Sequence, residues 1–441
     1  MQPPADNAEK VNEARTASIH TLGCRLNQAE TRLLEEQLRE AGYRIVPFDQ
    51  PADVGIVHGC VVTVEAEAKT RKYIQRFRRK NPGSITVAIG CFAQTAADSA
   101  AVLGVDLVLG NASKMELLHH LEAMEDSKGA VVTPRPKRDA FMLPFQKSSD
   151  PVDRRINLKI QDGCDEMCSY CFIPFARGRS RSRYLSDVLD EAASLVERGA
   201  RELILSGVNV GDYREGGADL LTLIDRLNGL RPRPRIRISS IELNTIPEGV
   251  LERMADTDHG LLPYLHIPLQ SGSDPILKAM GRPYTADAYL RFLEKARNEV
   301  PMIGLGADVM VGFPGETEAL FEETRRLIDA SPLDYLHVFP YSERDAVASS
   351  RLSHKISDQD KRRRSEIVRA LGDQKQEQGQ LRFLHRRCRV LFEEKRGAYW
   401  IGSNEEYFEA AVQSEECLKN RVASVDIREV REERLFGTLA V

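Results

Sequence analysis

The most constraining feature of this chain is a set of three cysteines, Cys164, Cys168 and Cys171, that directly follows a predicted strand at 156–160. A loop with this spacing brings three thiolates to three corners of one cubic cluster, whereas a regular strand or helix separates them. Three thiolates do not complete the four-cysteine shell of an ordinary [4Fe–4S] cluster. The spacing therefore predicts a [4Fe–4S] cluster with one open iron. A zinc knuckle is the alternative, although zinc sites usually add a second C-x2-C pair or a histidine.

This segment closely resembles the cluster loop of the radical S-adenosylmethionine (SAM) superfamily. The resemblance implies that SAM chelates the open iron and is cleaved by one electron to a 5′-deoxyadenosyl radical. Tyr170 occupies the aromatic position that lies near the adenine of SAM in that superfamily. The resemblance also suggests Glu242 as a SAM contact, although a structural salt bridge is an equally good interpretation of this residue. The other SAM contacts that the resemblance suggests lie at predicted strand ends: Ser206, Gly207, Ser239, Ser240, Gln270 and Phe313.

Strand and helix patterns alternate for nearly two hundred residues around this loop, which predicts a full or partial (β/α) barrel. The cysteine loop follows the first strand and so lies at the C-terminal rim, where barrel active sites form. Ser186 is predicted to cap a helix over 187–198. The predicted strands are 156–160, 202–206, 235–240, 262–267, 306–311 and 335–339.

Two further domains flank the barrel, so the fold class is α/β with a small β-barrel at the end. Alternating strands at 18–22, 53–58, 85–89 and 105–109, with a helix capped by Asn27, predict an open, mostly parallel sheet. Short segments rich in β-branched and aromatic residues predict the C-terminal β-barrel. The predicted boundaries are 16–126 for the N-terminal domain, 127–150 for a linker, 151–382 for the barrel with a trailing helix over 357–382, and 383–441 for the last domain.

Composition limits the location and partners of the chain. Its 441 residues include 62 basic and 66 acidic side chains, so nucleic-acid contacts must come from a local patch. The N-terminal residues lack the apolar core of a signal peptide, and no run of eighteen apolar residues predicts a membrane span. Eight cysteines without an export signal favour metal ligation in a reducing compartment. We expect a cytoplasmic protein.

A second set of cysteines, Cys24, Cys60 and Cys91, stands at the ends of three predicted strands of the N-terminal domain. In a parallel sheet such positions meet at one edge, where ligands bind. Three thiolates there form a site for a second cluster. Buried cysteine is also a common small apolar filler, so spacing alone leaves both interpretations open.

The sequence around these cysteines resembles the methylthiotransferase family of radical SAM enzymes, over nearly the whole chain. The segments that carry the resemblance are Thr21-Leu22-Gly23-Cys24-Arg25-Leu26-Asn27-Gln28-Ala29-Glu30-Thr31, Gly59-Cys60-Val61-Val62-Thr63, Gly90-Cys91-Phe92-Ala93-Gln94, Phe175-Ala176-Arg177-Gly178-Arg179-Ser180-Arg181-Ser182-Arg183, His266-Ile267-Pro268-Leu269-Gln270-Ser271-Gly272-Ser273 and Gly312-Phe313-Pro314-Gly315-Glu316. The form after Cys24 is similar to the branch that acts on N6-threonylcarbamoyladenosine in tRNA. The family usually has Asn-Thr before the second cysteine, whereas this chain has His58-Gly59. The local hydrogen bonding there is therefore open.

The resemblance implies methylthiolation of carbon 2 of N6-threonylcarbamoyladenosine at position 37 of tRNA, with SAM and two [4Fe–4S] clusters as cofactors. The set at 164–171 would generate the radical, and the set of Cys24, Cys60 and Cys91 would carry the sulfur. It also implies a flavodoxin- or ferredoxin-like electron donor and a C-terminal barrel resembling a TRAM domain. We expect a monomer. The alternatives are methylthiolation of isopentenyladenosine or of a ribosomal protein and, from another class, a non-catalytic iron–sulfur protein that binds RNA or transfers electrons.

Four alternating arginines beyond the cysteine loop are the predicted RNA contacts. Arginines beside a catalytic rim suit the phosphates of an anticodon loop. Pairing with nearby acids is the alternative. The four residues are Arg177, Arg179, Arg181 and Arg183.

Overall fold

The computed structural model describes residues 14–124, 130–145 and 152–440 and divides them into two compact units. The first unit contains the residues up to 135 together with 144–145, and the second contains 136–143 and the residues from 152 onward. Both predicted barrels therefore belong to the second unit. No helix among the described residues is long and apolar enough to cross a membrane.

The first unit is a parallel six-stranded sheet in the order β2-β1-β3-β4-β5-β6. Its apolar core includes Ile56, Val87 and Leu107 from the strands and Leu34 from α1. The strands are β1 (Thr16–Thr21), β2 (Arg44–Ile45), β3 (Val54–Gly59), β4 (Ile85–Gly90), β5 (Leu107–Leu109) and β6 (Ala130–Val132). The helices are α1 (Arg25–Glu40), α2 (Val64–Lys80), α3 (Cys91–Thr95), α4 (Ala97–Val102) and α5 (Leu117–Ala123).

Two predictions for this unit need correction. Asn27 does not cap α1, because the helix begins at Arg25 directly after Cys24, and the Asn27 amide instead donates to the carbonyls of Leu22 and Gly59. The predicted linker is not all linker, because its residues 130–132 form β6 and complete the sheet. A strand this short carries too little periodicity to be recognised.

The second unit begins with six parallel strands that form a partial barrel. Backbone hydrogen bonds join them into two three-stranded sheets, β13-β10-β7 and β14-β15-β16, and an isolated bridge between Ser240 and His266 links the two sheets. The strands, with two short hairpins, are β7 (Arg155–Lys159), β8 (Gln161–Asp162), β9 (Arg181–Ser182), β10 (Glu202–Ser206), β11 (Arg214–Glu215), β12 (Ala218–Asp219), β13 (Arg235–Ile238), β14 (Tyr264–His266), β15 (Gly304–Val311) and β16 (Tyr335–Pro340).

Helices follow these strands and cover the outside of the partial barrel. The helix α7 begins at Leu185 after Tyr184, so Ser186 is not its cap, whereas Asp219, Thr285, Thr317 and Ser357 cap later helices through their side chains. The helices are α6 (Ile173–Arg177), α7 (Leu185–Glu197), α8 (Leu220–Asn228), α9 (Val250–Ala255), α10 (Asp274–Met280), α11 (Ala286–Glu299), α12 (Glu318–Ala330) and α13 (Asp358–Leu381).

Side chains alternate along the barrel strands between an apolar outer face and a polar inner face. Leu158, Leu205 and Leu305 belong to the core beneath the helices. Because successive residues of a strand point to opposite faces, their neighbours line the inside of the barrel. Those inner positions carry mainly polar residues, among them Arg155, Glu202, Arg237, His266, Asp308 and His337. A polar interior is suited to holding a polar ligand, unlike the apolar interior of a filled barrel.

The chain ends in a closed five-stranded barrel with strand order β17-β18-β19-β21-β20. Its loop at 404–407 lies at the N-terminal ends of the parallel strands: Arg237 donates to the carbonyls of Asn404 and Glu405, and the rings of Tyr264 and Tyr407 are 4.9 Å apart. The small barrel therefore occupies the end opposite the cysteine loop. Its strands are β17 (Arg387–Arg396), β18 (Tyr399–Asn404), β19 (Glu409–Gln413), β20 (Val422–Arg431) and β21 (Arg434–Leu439).

Candidate functional site

The cysteine loop of the second unit is bracketed by the hairpin of β8 and β9. The backbone N–H of Cys164 donates to Gly178 O at 3.2 Å, and that of Cys171 donates to Cys168 O at 3.0 Å. Gly163 enters the loop with φ of 72°, and a Cβ there would lie 2.0 Å from Arg179 O. Only glycine fits this turn. The loop thus curls its cysteines toward one region at the C-terminal end of β7.

The three thiols influence one another electrostatically. Burial, with a smaller contribution from the neighbouring thiols, raises the pKa of Cys164 and of Cys171 to about 12. Burial also raises the pKa of Cys168, against the opposing effect of Arg282. Thiols with such pKa values stay protonated at neutral pH until a metal displaces the proton. The donor set, three sulfurs in one curled loop, fits three corners of a [4Fe–4S] cluster.

Arg282 is a residue of this site that the sequence analysis missed. Its Nη1 donates to Cys168 Sγ at 3.4 Å and to Glu242 Oε1 at 3.2 Å, and its guanidinium lies 5.0 Å from the ring of Tyr284. The salt bridge proposed as the alternative for Glu242 is therefore present. Burial raises the pKa of Glu242, and Arg282 opposes this rise. The sequence signal for Arg282 was limited to its place in a Gly-Arg-Pro-Tyr turn after a helix. Because Arg282 lies more than a hundred residues after Cys168 in the chain, the sequence did not connect the two residues.

The other predicted SAM contacts lie at the same end of the barrel strands, with different exposure. Tyr170 packs with Phe313 and Tyr341 in a small apolar cluster. Ser206 is buried, and its hydroxyl lies 3.1 Å from Ile204 O and 3.5 Å from Asn157 Oδ1, so it is used within the wall of the barrel. Gly207 and Ser239 are partly exposed just beyond β10 and β13, and Gln270 adopts φ of 63° between β14 and α10.

The prediction that four arginines contact RNA is wrong for Arg177 and Arg183, because both are buried in ion pairs. Arg177 bonds Asp162 at 2.9 Å, and Arg183 bonds Asp187 and Glu191.

The other two arginines differ from each other. Arg181 is largely buried, 3.3 Å from Asp162 and over the ring of Phe141. Arg179 keeps 40% of its side chain exposed, at 3.7 Å from Asp165. Arg179 alone of the four remains a well-exposed cation beside the cysteine loop.

The second set of cysteines lies at the carboxyl ends of three neighbouring strands of the first unit. Cys24 follows β1, Cys60 follows β3 and Cys91 follows β4, and these strands are adjacent in the sheet. A Cβ on Gly23, which has φ of 101°, would lie 2.9 Å from Cys60 Sγ. The strand ends therefore bring the Cys24 turn against Cys60. Three thiols at one sheet edge again fit three corners of a cluster.

A buried polar chain reaches this edge from the interior. The Asn111 amide donates to Cys91 Sγ at 3.5 Å, and Lys114 Nζ donates to Asn111 at 2.7 Å and to Glu30 at 2.5 Å. His58, fully buried, lies 3.5 Å from the same carboxylate and hydrogen-bonds Thr31 at 3.0 Å. His58 therefore belongs to the hydrogen-bonded support of the cysteine edge. The sequence did not predict these hydrogen-bonded contacts, because Glu30 and Lys114 are 84 residues apart.

Two family models and several named relatives match this chain. The family model described as "Radical SAM superfamily" matches residues 158–328, and the model described as "Uncharacterized protein family UPF0004" matches residues 16–110. The threonylcarbamoyladenosine tRNA methylthiotransferase MtaB of Bacillus subtilis (strain 168) is 37% identical over 81% of this chain and 80% of that protein.

The chain belongs to the methylthiotransferase family of radical SAM enzymes. The tRNA-2-methylthio-N(6)-dimethylallyladenosine synthase of Jannaschia sp. (strain CCS1) is 31% identical over 96% of this chain and 93% of that protein. As a member of this family it is a radical SAM enzyme that uses SAM and [4Fe–4S] clusters.

A solved structure supports the fold. The radical SAM methyltransferase TsrM from Kitasatospora setae, with cobalamin and a [4Fe–4S] cluster bound, aligns with a TM-score of 0.56 at 16% identity. The alignment covers 76% of this chain and 77% of that chain. At this identity the likeness concerns the fold alone.

Proposed function

We propose that this enzyme methylthiolates carbon 2 of N6-threonylcarbamoyladenosine at position 37 of tRNA. The observation that carries the proposal is the presence of two separate sets of three cysteines, one in the loop that follows the first barrel strand and one at the carboxyl ends of β1, β3 and β4. A radical SAM enzyme that only generates a radical needs one such set. A second set agrees with an enzyme that must also supply sulfur.

Each set is assigned one cluster. Cys164, Cys168 and Cys171 would hold the cluster that binds SAM, and Cys24, Cys60 and Cys91 would hold the other. Bound there, the first cluster would reduce SAM to a carbon radical and the second would supply sulfur, for a C–H bond that has no acidic proton. The chain's own residues orient the ligands: Arg282 bonds Cys168 and Asn111 bonds Cys91. Hydrogen bonds of this kind fix ligand positions and tune a cluster.

The substrate follows from the relatives and from the segment after Cys24. The Bacillus subtilis relative is named for threonylcarbamoyladenosine, and Arg25-Leu26-Asn27-Gln28 in this chain resembles that branch. We infer that the anticodon loop of tRNA reaches the barrel rim, where Arg179 offers an exposed guanidinium for a phosphate. A flavodoxin- or ferredoxin-like donor would supply electrons, and the enzyme would act as a monomer in the cytoplasm.

The proposal is tested with the full chain, reconstituted anaerobically and given reductant, SAM and tRNA carrying N6-threonylcarbamoyladenosine. Cys164→Ala should abolish formation of 5′-deoxyadenosine. Cys24→Ala should leave some uncoupled SAM cleavage and give no methylthio product. Cys417→Ala, a change at an exposed cysteine of the last barrel, is the matched control and should behave as wild type. Mass spectrometry of digested tRNA measures the product.

Two results would contradict the proposal. Full product formation by Cys24→Ala would remove the second cluster from the reaction. Methylthiolation of isopentenyladenosine tRNA, with none of the threonylcarbamoyl tRNA, would assign the enzyme to the other branch.

A further inference from the structure

Three polar side chains form a contiguous array on the inner face of β14, β15 and β16. His266 Nε2 lies 3.0 Å from Asp308 Oδ1, and His337 Nδ1 lies 3.3 Å from the same oxygen. Burial would raise the pKa of Asp308, but the two imidazoles outweigh it and hold the pKa well below its usual value. Asp308 is therefore an ionised acceptor for both rings.

The array is anchored from the lower part of the barrel. The Tyr335 hydroxyl lies 2.8 Å from His266 Nδ1 and 2.5 Å from the hydroxyl of Tyr264. The ring of Tyr335 lies across Gly306, where a Cβ would be 2.0 Å from its Cζ. Both nitrogens of His266 are thus engaged, and its orientation is fixed. A fixed His266 in turn fixes the carboxylate of Asp308.

The other end of the array is open. The side chain of His337 is 58% exposed and that of Asp308 is 25% exposed. Among the residues that the structure describes, Asp308 is the polar partner of His337, so the second ring nitrogen, Nε2, bonds no protein group. The Asp308 carboxylate has two further lone pairs. Phe339, two residues along the same strand face, is 45% exposed.

The open end of the array faces the end of the barrel that carries the cysteine loop. Asp308 and His337 are paired in register two residues beyond the Gly306–Tyr335 pair, toward the carboxyl ends of β15 and β16. A group bound at His337 would lie inside the barrel and below the catalytic rim.

Two imidazoles and a carboxylate also resemble the donor set of a divalent metal, and their ligand atoms lie within 4.8 Å of one another. The contacts favour a different use. Both imidazoles bond the same carboxylate oxygen directly, which is the arrangement of hydrogen-bonded partners. It leaves a nitrogen and carboxylate lone pairs facing the interior.

We propose that Asp308 and His337 form the subsite that binds the polar N6 substituent of the target adenosine. The inference rests on the function proposed above. The threonylcarbamoyl group carries ureido N–H donors, a hydroxyl and a carboxylate. A ureido N–H donates to Asp308, the hydroxyl or carboxylate meets His337 Nε2, and Phe339 packs against the base. A dimethylallyl substituent has no polar atom, so it would leave these groups unpaired, which a site built for hydrogen bonding disfavours strongly.

The test compares anticodon stem-loops that differ only at the target adenosine: unmodified, threonylcarbamoylated or isopentenylated. Wild-type holoenzyme should bind the threonylcarbamoylated loop at least about tenfold more tightly than the unmodified one, because a hydrogen bond to a charged group contributes enough free energy for such a difference. His337→Phe and Asp308→Asn, which preserve ring and size, should abolish this preference. Fluorescence anisotropy measures the affinities, and circular dichroism confirms folding.

The matched control is His259→Phe, since His259 Nε2 lies 3.4 Å from Asp225 Oδ1 in another histidine–aspartate pair outside the barrel interior. It should keep the preference. An unchanged preference in His337→Phe, or a stoichiometric divalent metal that is lost on this substitution, would overturn the subsite. Failure of the proposed function looks different: the wild-type enzyme would then methylthiolate isopentenylated tRNA and leave threonylcarbamoylated tRNA unmodified.

Discussion

Glu202 is the buried anion that joins the N-terminal ends of the barrel strands. Its carboxylate lies 3.3 Å from Arg155, 3.2 Å from Arg235 and 2.6 Å from Arg237, and only 1% of it is exposed. Arg237 also bonds the loop of the C-terminal barrel. Removing the charge at Glu202 would leave three guanidiniums close together without their shared counter-ion.

The stability lost on removing this charge can be estimated from the shifted pKa of the Glu202 carboxyl. Burial would raise the pKa of Glu202 from 4.5, but Arg237, Arg235 and Arg155 lower it to about 2. A shift of that size corresponds to about 3 kcal/mol, and removing one partner of a buried ion pair typically costs about 3–5 kcal/mol. We therefore expect Glu202→Gln to lower the free energy of unfolding by about 3 kcal/mol at pH 7.

The stability that Glu202 contributes should decrease as the pH falls. A lowered pKa means that the folded state releases the proton more readily than the unfolded state, so the stabilisation is complete above about pH 4.5 and is lost as the pH falls to about 2. The wild-type protein should therefore lose the stabilisation from Glu202 between about pH 4.5 and about pH 2. Glu202→Gln should lack this part of the pH dependence.

The assay is urea unfolding followed by fluorescence of Trp400, the single tryptophan, which is buried in the C-terminal barrel. Glu299→Gln, which removes a surface ion pair with Lys295 at 3.8 Å, is the control and should change stability by less than about 1 kcal/mol. A loss below about 1 kcal/mol for Glu202→Gln, or an acid profile like that of the wild-type protein, would show that Glu202 does not stabilise the fold through its charge.

Two further predictions concern other buried polar groups. Burial raises the pKa of Glu406 from 4.5 to about 8, and among the described residues its Oε2 has no hydrogen-bond partner. Because the unfolded state releases this proton more readily than the folded state, the wild-type protein should lose stability as the pH rises from about 4.5 to about 8. Thermal melts of Glu406→Gln should lack this loss, and identical profiles would contradict the expectation. Asn111→Leu removes the N–H···S bond to Cys91 and should lower the midpoint potential of the cluster bound there, measured by redox titration with electron paramagnetic resonance. Asn81→Leu, at a buried asparagine whose side chain bonds backbone groups of Ala52 and Phe77, should leave that potential unchanged, and equal shifts in the two variants would show a general structural effect.

Local sequence patterns predicted the framework well because they depend on neighbouring residues. The strand at Glu202–Ser206 was predicted with the observed bounds, and the cysteine loop follows the first barrel strand as expected. Both results follow from hydrophobic periodicity and from the placement of loops after strands. The short strand β2 and the last strand β21 were missed, since their position depends on pairing with distant strands.

Side-chain partners were the part that local patterns did not determine. Arg177 and Arg183 look like a phosphate-binding run in the sequence, yet acids 15 residues away or less neutralise them in the interior. Arg282 reaches Cys168 across 114 residues. An arginine's role depends on the burial of its partners, which only the assembled strands define.

We propose that this enzyme adds a methylthio group to N6-threonylcarbamoyladenosine in tRNA. Mass spectrometry of tRNA nucleosides from cells that lack this gene, and from the same cells with the gene restored, tests it most directly. We expect 2-methylthio-N6-threonylcarbamoyladenosine to disappear on deletion, with accumulation of N6-threonylcarbamoyladenosine, and to return with the gene. An unchanged level of the methylthio nucleoside in the deleted strain would contradict it.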